Sequence, residues 1–206
     1  MSCNETNAAN CNDSLKVKLV TSWDQFATAM EIRSVCYTDD IDTKLPFDEA
    51  FDGNDFQASH MVAYLGAEPI GALRIRWFAN FAKIERTGFR PQYRDPRHLQ
   101  RAAPFVFDHI ARKGYTRAIT HAAPKYAAAW RRYLGFRPVD KPVAVYQEGH
   151  YVELVKYLDI PMNVITADSS IKTLSRVEGE WDIPNKYEII SDGENVPGIP
   201  KKESQD

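Results

Sequence analysis

The sequence predicts an α/β (α+β) fold in which helices flank a mixed, mostly antiparallel sheet of six to seven strands. Short apolar or alternating segments bounded by turn signals are typical of strands, and three longer segments with apolar residues three or four apart are typical of helices. Their order, β-α-loop-β-β-β-α-β-α-β-β, places helices on one sheet. By composition the 206 residues divide into an N-terminal lead-in over 1–14, one domain over 15–158 and an arm over 159–206.

Each predicted element has its own local signal. We expect strands over 16–20, 60–65, 70–77, 82–89, 116–122, 143–147 and 150–157, and helices over 22–37, 95–113 and 124–133. Ser22 and Asp95 are typical N-cap residues, and Gly114 and Gly135 follow the second and third helices. Pro104 lies inside the second helix, so we expect a kink there or a later start. One apolar face of the first helix is predicted from Trp23, Phe26, Met30, Arg33 and Tyr37.

Composition excludes several classes of protein. The chain is 44% hydrophobic with a formal net charge of -2, which argues against disorder of the whole chain and against a polycationic nucleic-acid binder. No apolar run approaches the roughly 20 residues of a membrane helix. The three cysteines, Cys3, Cys11 and Cys36, include no CxxC pair, and the histidines lack metal-ligand spacing. We therefore expect a cytoplasmic protein with no metal, no nucleic-acid partner and no membrane partner. The lead-in and the end of the arm are expected to be disordered.

Three segments carry a resemblance to the GNAT acyltransferases, over residues 15 to about 158. After the predicted fourth strand, Phe89, Pro91, Tyr93 and Arg94 fit an apolar-x-Pro-x-Tyr-Arg pattern. A helix over 99–113 and a strand follow, and a later helix ends in Leu134-Gly135-Phe136. The resemblance implies a sheet splayed between its fourth and fifth strands, with an acyl-CoA donor such as acetyl-CoA bound in the opening.

The resemblance also implies donor-binding residues. The fourth strand would supply Thr87, Gly88 and Phe89, whose backbone polarises the thioester carbonyl, and Gly88 would mark a bulge. The diphosphate would lie on the following loop, where the family has glycines. This chain has none there. In their place the loop has Arg94, Asp95, Pro96, Arg97 and His98, with Arg90 and Arg101 nearby. We expect the loop backbone over 94–98 to make most of the phosphate contacts, with side-chain charge helping.

The catalytic candidates follow from the same resemblance. Glu85 on the fourth strand is the predicted general base, with an ion pair to Arg74, Arg76 or Arg86 as the alternative. The family often has a tyrosine that acts as the general acid, and at the matching position this chain has Arg131. Tyr133 is therefore the predicted general acid, and Tyr126 is a second candidate. For either tyrosine, packing in the core is the alternative.

The resemblance implies that the acceptor is a small-molecule or peptide amine. Acidic residues fill the long segment over 38–59, where the family places its acceptor side: Asp39, Asp40, Asp42, Asp48, Glu49, Asp52 and Asp55. They suit a cationic acceptor, although a solvated loop explains them equally well. Arg33 suits a carboxylate-bearing acceptor, or its stem covers the core.

Three functions stay open at this point. The first is an acyl-CoA-dependent N-acyltransferase that transfers an acetyl group. The glycine-free loop and the short Glu85-x-x-x-Phe89 pattern are also similar to acyl-homoserine-lactone synthases and N-acyl amino acid synthases, which implies a long acyl chain, with acyl carrier protein as a further donor. The third is a non-catalytic module that binds acyl-CoA. A homodimer through strand pairing or the arm is open as well.

Overall fold

The computed structural model describes residues 14–38, 50–146, 149–185 and 188 of the chain. The predicted disordered lead-in, the acidic residues of 39–49, the end of the arm, Cys3 and Cys11 lie outside these ranges. The chain forms two compact units, Met1–Ser169 and Ser170–Asp206. Within the described ranges no helix has the length and apolar character needed to cross a bilayer.

One eight-stranded sheet runs through the first unit. Its strands are β1 (Leu15–Leu19), β2 (Ser59–Leu65), β3 (Glu68–Trp77), β4 (Ala82–Phe89), β5 (Arg117–Ala122), β6 (Arg137–Pro138), β7 (Ala144–Tyr146) and β8 (Gly149–Tyr157). The order is β1-β2-β3-β4-β5-β8-β6, with β7 also paired to β8. Only the β4–β5 pair is parallel among the described pairs. The predicted mixed, mostly antiparallel sheet is confirmed. The additional strand, β6, has two residues and is too short to show a period.

Three helices cover the two faces of the sheet. They are α1 (Trp23–Tyr37), α2 (Pro96–Arg112) and α3 (Pro124–Leu134). One core cluster joins α1 to Val62 and Ala72, and a larger one joins α2 and α3 to Met61, Ile75 and Ile84. Because Met61 and Val62 are neighbours on one strand, they point to opposite faces. The sheet is therefore sandwiched between α1 on one face and α2 with α3 on the other.

The buried face of α1 differs from the prediction. Trp23 is 83% exposed, and the buried positions are Ala29, Ile32, Arg33 and Cys36. Cys36 is a buried free thiol, as expected. Small residues at 29 and 36 let the helix approach the sheet closely, which hydrophobic spacing alone does not indicate.

Helix α2 begins at Pro96 and continues through Pro104, so the later start is wrong. Asp95 caps the helix, its side chain accepting from the Arg97 N–H at 2.8 Å. Pro104 lies on the exposed side, where water can serve the carbonyl that lacks a donor within the helix.

After β8 the chain first stays on the first unit. The Leu158 N–H donates to the Thr116 carbonyl at 2.8 Å, and the Ile165 N–H donates to the Arg112 carbonyl at 2.7 Å. In the second unit the short helix α4 (Ile171–Leu174) is capped by Ser170. There Arg176 makes a two-point ion pair with Glu188 at 2.6 and 3.0 Å. The predicted domain boundary at 158/159 stays a prediction.

Candidate functional site

Strands β4 and β5 separate soon after they begin. Their parallel ladder consists of two pairs, Ala82 with Ala118 and Lys83 with Ile119. Strand β4 continues to Phe89 and β5 to Ala122 with no further pairing between them in the described ladder. The outer edge of β4 from Ile84 onward therefore borders an opening, which is the splay that the resemblance implied.

A β-bulge interrupts β4 beside this opening. On β3, Ala72 pairs with Gly88 and Arg74 pairs with Glu85, so Arg86 and Thr87 together lie opposite one residue. Arg86 has a φ of 53°, in the left-handed region that L side chains rarely adopt. A bulge of this kind re-aims the backbone and side chains around it. The predicted bulge is confirmed, one residue before Gly88.

Close packing of α1 against β4 requires a glycine at position 88. A Cβ added there would lie 2.9 Å from the Cys36 Cβ and 3.0 Å from its Sγ. Glycine therefore allows the last turn of α1 to lie directly against β4.

On the other face, Thr87 and Phe89 line an apolar cavity of about 30 Å³, closed by α2 and α3 with Leu99, Phe107 and Trp130 among its walls. The Thr87 hydroxyl is buried and has no hydrogen-bond partner in the described structure. A buried hydroxyl without a partner is costly, so a ligand carbonyl or amide beside it would be stabilised. Of the predicted donor-binding residues, Thr87, Gly88 and Phe89 thus lie together at the opening.

The loop after β4 is held by its own side chains. Pro91–Tyr93 form a 3₁₀ turn, and His98 Nδ1 lies 3.0 Å from the Tyr93 carbonyl oxygen. The Asp95 carboxylate accepts from both the backbone N–H and the Nε of Arg97, each at 2.8 Å. Arg97 nevertheless has a side chain 84% exposed. The loop thus offers exposed cationic side chains, while one N–H at the start of α2 is already taken.

Arg90 and Arg94 form hydrogen bonds with residues outside the Asp95–Arg97 pair. Arg90 donates to Glu31 at 2.9 Å and to the Pro69 carbonyl at 3.0 Å, which ties the loop to α1 and β3. The Arg94 Nε donates to the Phe89 carbonyl at 3.3 Å.

A buried ion network lies on the α1 face of the sheet. Arg33 and Arg74 are each 1% exposed and both donate to Asp55, at 2.5 and 2.7 Å. Arg74 also donates to Asp52 at 2.8 Å and to Glu85. Arg33 therefore meets a carboxylate of its own chain.

Glu85 is tied into this network. Its carboxylate accepts from Arg74, and Lys83 lies 3.2 Å away. Burial pushes the pKa of Glu85 upward, but the Arg74 hydrogen bond and the Lys83 charge outweigh burial and hold the pKa below its ordinary value. The ion pair with Arg74 is present, and a carboxylate stabilised in this way is a weak proton acceptor. Its role as the base stays a prediction.

The two candidate tyrosines differ in position. Tyr133 is half-buried and packs against the core on the α2 and α3 side, with the Arg132 guanidinium 5.6 Å from its ring. Tyr126 lies in the first turn of α3 and is 46% exposed. The acid role of Tyr133 stays a prediction.

A pair formed by a histidine and a glutamate near the opening was not predicted from the sequence. His121 on β5 lies opposite Glu153 on β8, and its Nε2 is 3.3 Å from the Glu153 carboxylate. Lys141 donates to Glu153 at 2.7 Å. Burial and the nearby Lys83 charge lower the pKa of His121, so its neutral form is favoured. Cross-strand register brings these residues together, and no local sequence signal reports that register. Among the described residues no group of His, Cys, Asp and Glu could hold a metal ion.

Comparisons with known proteins identify the fold. No family model and no curated protein matches the sequence. Solved structures do match: a presumed N-acetyltransferase from Lactobacillus plantarum has a TM-score of 0.62 at 21% identity, covering 71% of this chain and 99% of that one. The chain has the GNAT fold. An acyl-CoA N-acyltransferase from Pseudomonas aeruginosa matches at 0.57 and 17% identity, covering 69% and 99%.

A third GNAT-fold match is FeeM, an N-acyl amino acid synthase from uncultured soil microbes. It has a TM-score of 0.55 at 10% identity, covering 70% of this chain and 90% of that one. These matches confirm that the predicted mixed, mostly antiparallel sheet belongs to the GNAT fold.

Proposed function

We propose that this chain is an acyl-CoA-dependent N-acyltransferase, with acetyl-CoA as the first donor to test. The observation that carries the proposal is the bulged β4 beside the opened β4–β5 pair, where Thr87 lines an apolar cavity and has a buried hydroxyl without a hydrogen-bond partner in the described structure. A GNAT fold with N-acyltransferase neighbours supports the same reaction class.

In the proposed reaction the acceptor amine attacks the thioester carbonyl carbon. A C–N bond forms, the C–S bond breaks, and the sulfur leaves as the CoA thiolate. The attacking nitrogen gives up one proton to a base, and the thiolate takes one proton to become CoA thiol. Donor groups of Thr87, Gly88 and Phe89 would polarise the carbonyl, and holding both reactants together supplies much of the rate.

The loop would hold the donor's phosphates. Arg94, Arg97 and His98 offer cationic or hydrogen-bonding side chains, and Pro96 begins α2. Because the Asp95 carboxylate already accepts from both the backbone N–H and the guanidinium of Arg97, the phosphates would compete with Asp95 for Arg97. Glu85 as base and Tyr133 as acid remain the assignments to test.

A second candidate is a long-chain acyl transfer to an amino acid. The walls of the cavity behind β4 are apolar, as an acyl chain requires, but at about 30 Å³ the cavity must widen before a long chain can enter. The acidic groups Asp52 and Asp55 are already paired with arginines. Because the charges of these two acids are already compensated, a cationic acceptor gains less from them, and the fold match to FeeM, an N-acyl amino acid synthase, supports an amino acid acceptor.

Ligand binding separates these functions. Thermal unfolding would be followed with CoA, acetyl-CoA, a long-chain acyl-CoA and acyl carrier protein, and a ligand at a hundred times its Kd stabilises by about 2.7 kcal/mol. Stabilisation by CoA and acetyl-CoA supports the first function, and stabilisation only by the long-chain donors supports the second. No stabilisation by any donor contradicts both.

Turnover is then measured as release of free thiol with a panel of amines and amino acids. Binding without turnover across the panel supports the non-catalytic module. Thr87→Val keeps the shape of the side chain and removes its hydroxyl, so we expect weaker donor binding or slower turnover. Thr28→Val on α1, whose hydroxyl bonds within its own helix, is the matched control.

A further inference from the structure

The bulged segment of β4 is attached to α1 by one long-range hydrogen bond. The Tyr37 hydroxyl, in the last turn of α1, donates to the Thr87 carbonyl at 2.8 Å across 50 positions of sequence. Tyr37 belongs to the core cluster between α1 and the sheet.

The acceptor of this bond, the Thr87 carbonyl, belongs to a residue that has no partner on a neighbouring strand. Thr87 has no register partner on β3, because the bulge displaces it, and none on β5, because the two strands have separated. A buried carbonyl without a donor is costly, so the Tyr37 hydroxyl stabilises the bulged conformation. The strained φ of Arg86 makes that conformation dependent on its surroundings.

A second contact fixes the same two elements. Gly88 lies so close to Cys36 that a Cβ would be 2.9 Å from the Cys36 Cβ. Consecutive residues of α1, Cys36 and Tyr37, thus hold consecutive residues of β4, Gly88 and Thr87. The last turn of α1 is therefore a rigid support for the bulge.

We propose that Tyr37 is a positioning residue for acyl transfer: its hydroxyl holds the Thr87 peptide so that the Thr87 side chain lines the apolar cavity behind β4. The inference rests on the proposed function. Tyr37 acts through the backbone of Thr87 and from the opposite face of the sheet, so it need not touch the donor. Burial raises the pKa of Tyr37, which keeps the phenol protonated and able to donate at any working pH.

The test removes only the donor. Tyr37→Phe is compared with Tyr64→Phe, because Tyr64 packs in the same cluster on the same side of the sheet. We expect kcat to fall about 10- to 100-fold in Tyr37→Phe, with KM for the donor changing less. The reason is that the Thr87 carbonyl loses its donor, and the cost of a buried group without a partner corresponds to a rate change of this size when it raises the barrier of the reaction. Tyr64→Phe should keep kcat within about twofold.

A rescue and a stability measurement separate positioning from folding. Tyr37 replaced by 4-aminophenylalanine restores an N–H donor at the same place, and we expect it to recover most of kcat. All variants are assayed well below their thermal midpoints. If Tyr37→Phe lowers the midpoint but keeps kcat, or if the amino variant is as slow as phenylalanine, the inference is wrong. If wild-type protein neither binds nor turns over any donor, the proposed function fails, and the inference fails with it.

Discussion

Replacing Asp55 with asparagine tests the buried ion network most directly. Asp55 is 6% exposed and accepts from Arg33 and Arg74, which are each 1% exposed. The substitution keeps the size of the side chain but leaves two buried guanidinium groups with one carboxylate fewer. Removing one partner from a buried ion pair typically costs about 3–5 kcal/mol. For a chain of this size each kcal/mol lowers Tm by about 2–4 °C, so we expect a fall of roughly 6–20 °C.

Urea denaturation at pH 7 measures this loss, and Glu31→Gln provides the control. Glu31 pairs with Arg90 at 2.9 Å but is 65% exposed, so its loss should cost about 0–1 kcal/mol. If Asp55→Asn is no more destabilising than Glu31→Gln, the argument that burial makes the network indispensable is refuted.

The stability difference between wild type and Asp55→Asn should depend on pH. Burial raises the pKa of Asp55, but its bonds with Arg33, the backbone of Asp52 and Arg74 outweigh burial and hold the pKa below the ordinary value of 3.8. A lowered folded-state pKa adds stability that is fully present above the unfolded-state pKa and is lost as pH falls through the folded-state pKa. The gap between wild type and Asp55→Asn should therefore be widest near neutrality and shrink in acid. A gap independent of pH would contradict the assignment.

Three further predictions address the site. Gly88→Ala should destabilise by about 1–3 kcal/mol in denaturant through overpacking, whereas Gly53→Ala, where a Cβ has open space, should not; equal effects would contradict the close approach of α1. Because the pKa of His121 is lowered in the folded state, the unfolded state binds more protons below pH 6.5, and the free energy of unfolding should decrease as the pH is lowered. This decrease should be less steep in His121→Gln; the same pH dependence in both proteins would contradict the prediction. Arg97→Ala should raise KM for the donor roughly three- to tenfold with kcat kept, and Arg137→Ala should not; a fall in kcat alone would count against phosphate binding.

Much of the fold is predictable because its signals are local. The cap at Asp95 and the stop at Gly114 each depend on a few adjacent residues, and the helix between them forms where it is expected. Strand β6 was missed because two residues carry no period. The face of α1 was predicted imperfectly because helix–sheet distance depends on Gly88, which is far away in sequence.

The candidate site is less predictable, because its decisive features are long-range. The sequence indicates Thr87, but it does not indicate that Tyr37 donates to that residue's carbonyl. It names Glu85 and an arginine partner, but only the folded chain selects Arg74 and adds Asp55 to the same network. The pairing of His121 with Glu153 likewise depends on strand register.

The sequence by itself determined the order of every helix and strand of the first unit except β6, the capped helices and the glycine-free loop, because each is encoded by residues a few positions apart. The tertiary structure alone decided where β4 and β5 separate, that Asp52 and Asp55 are paired with Arg33 and Arg74, and that α1 supports the bulge. Those features arise from contacts between segments tens of residues apart, whose formation depends on the packing of the whole sheet rather than on any local preference.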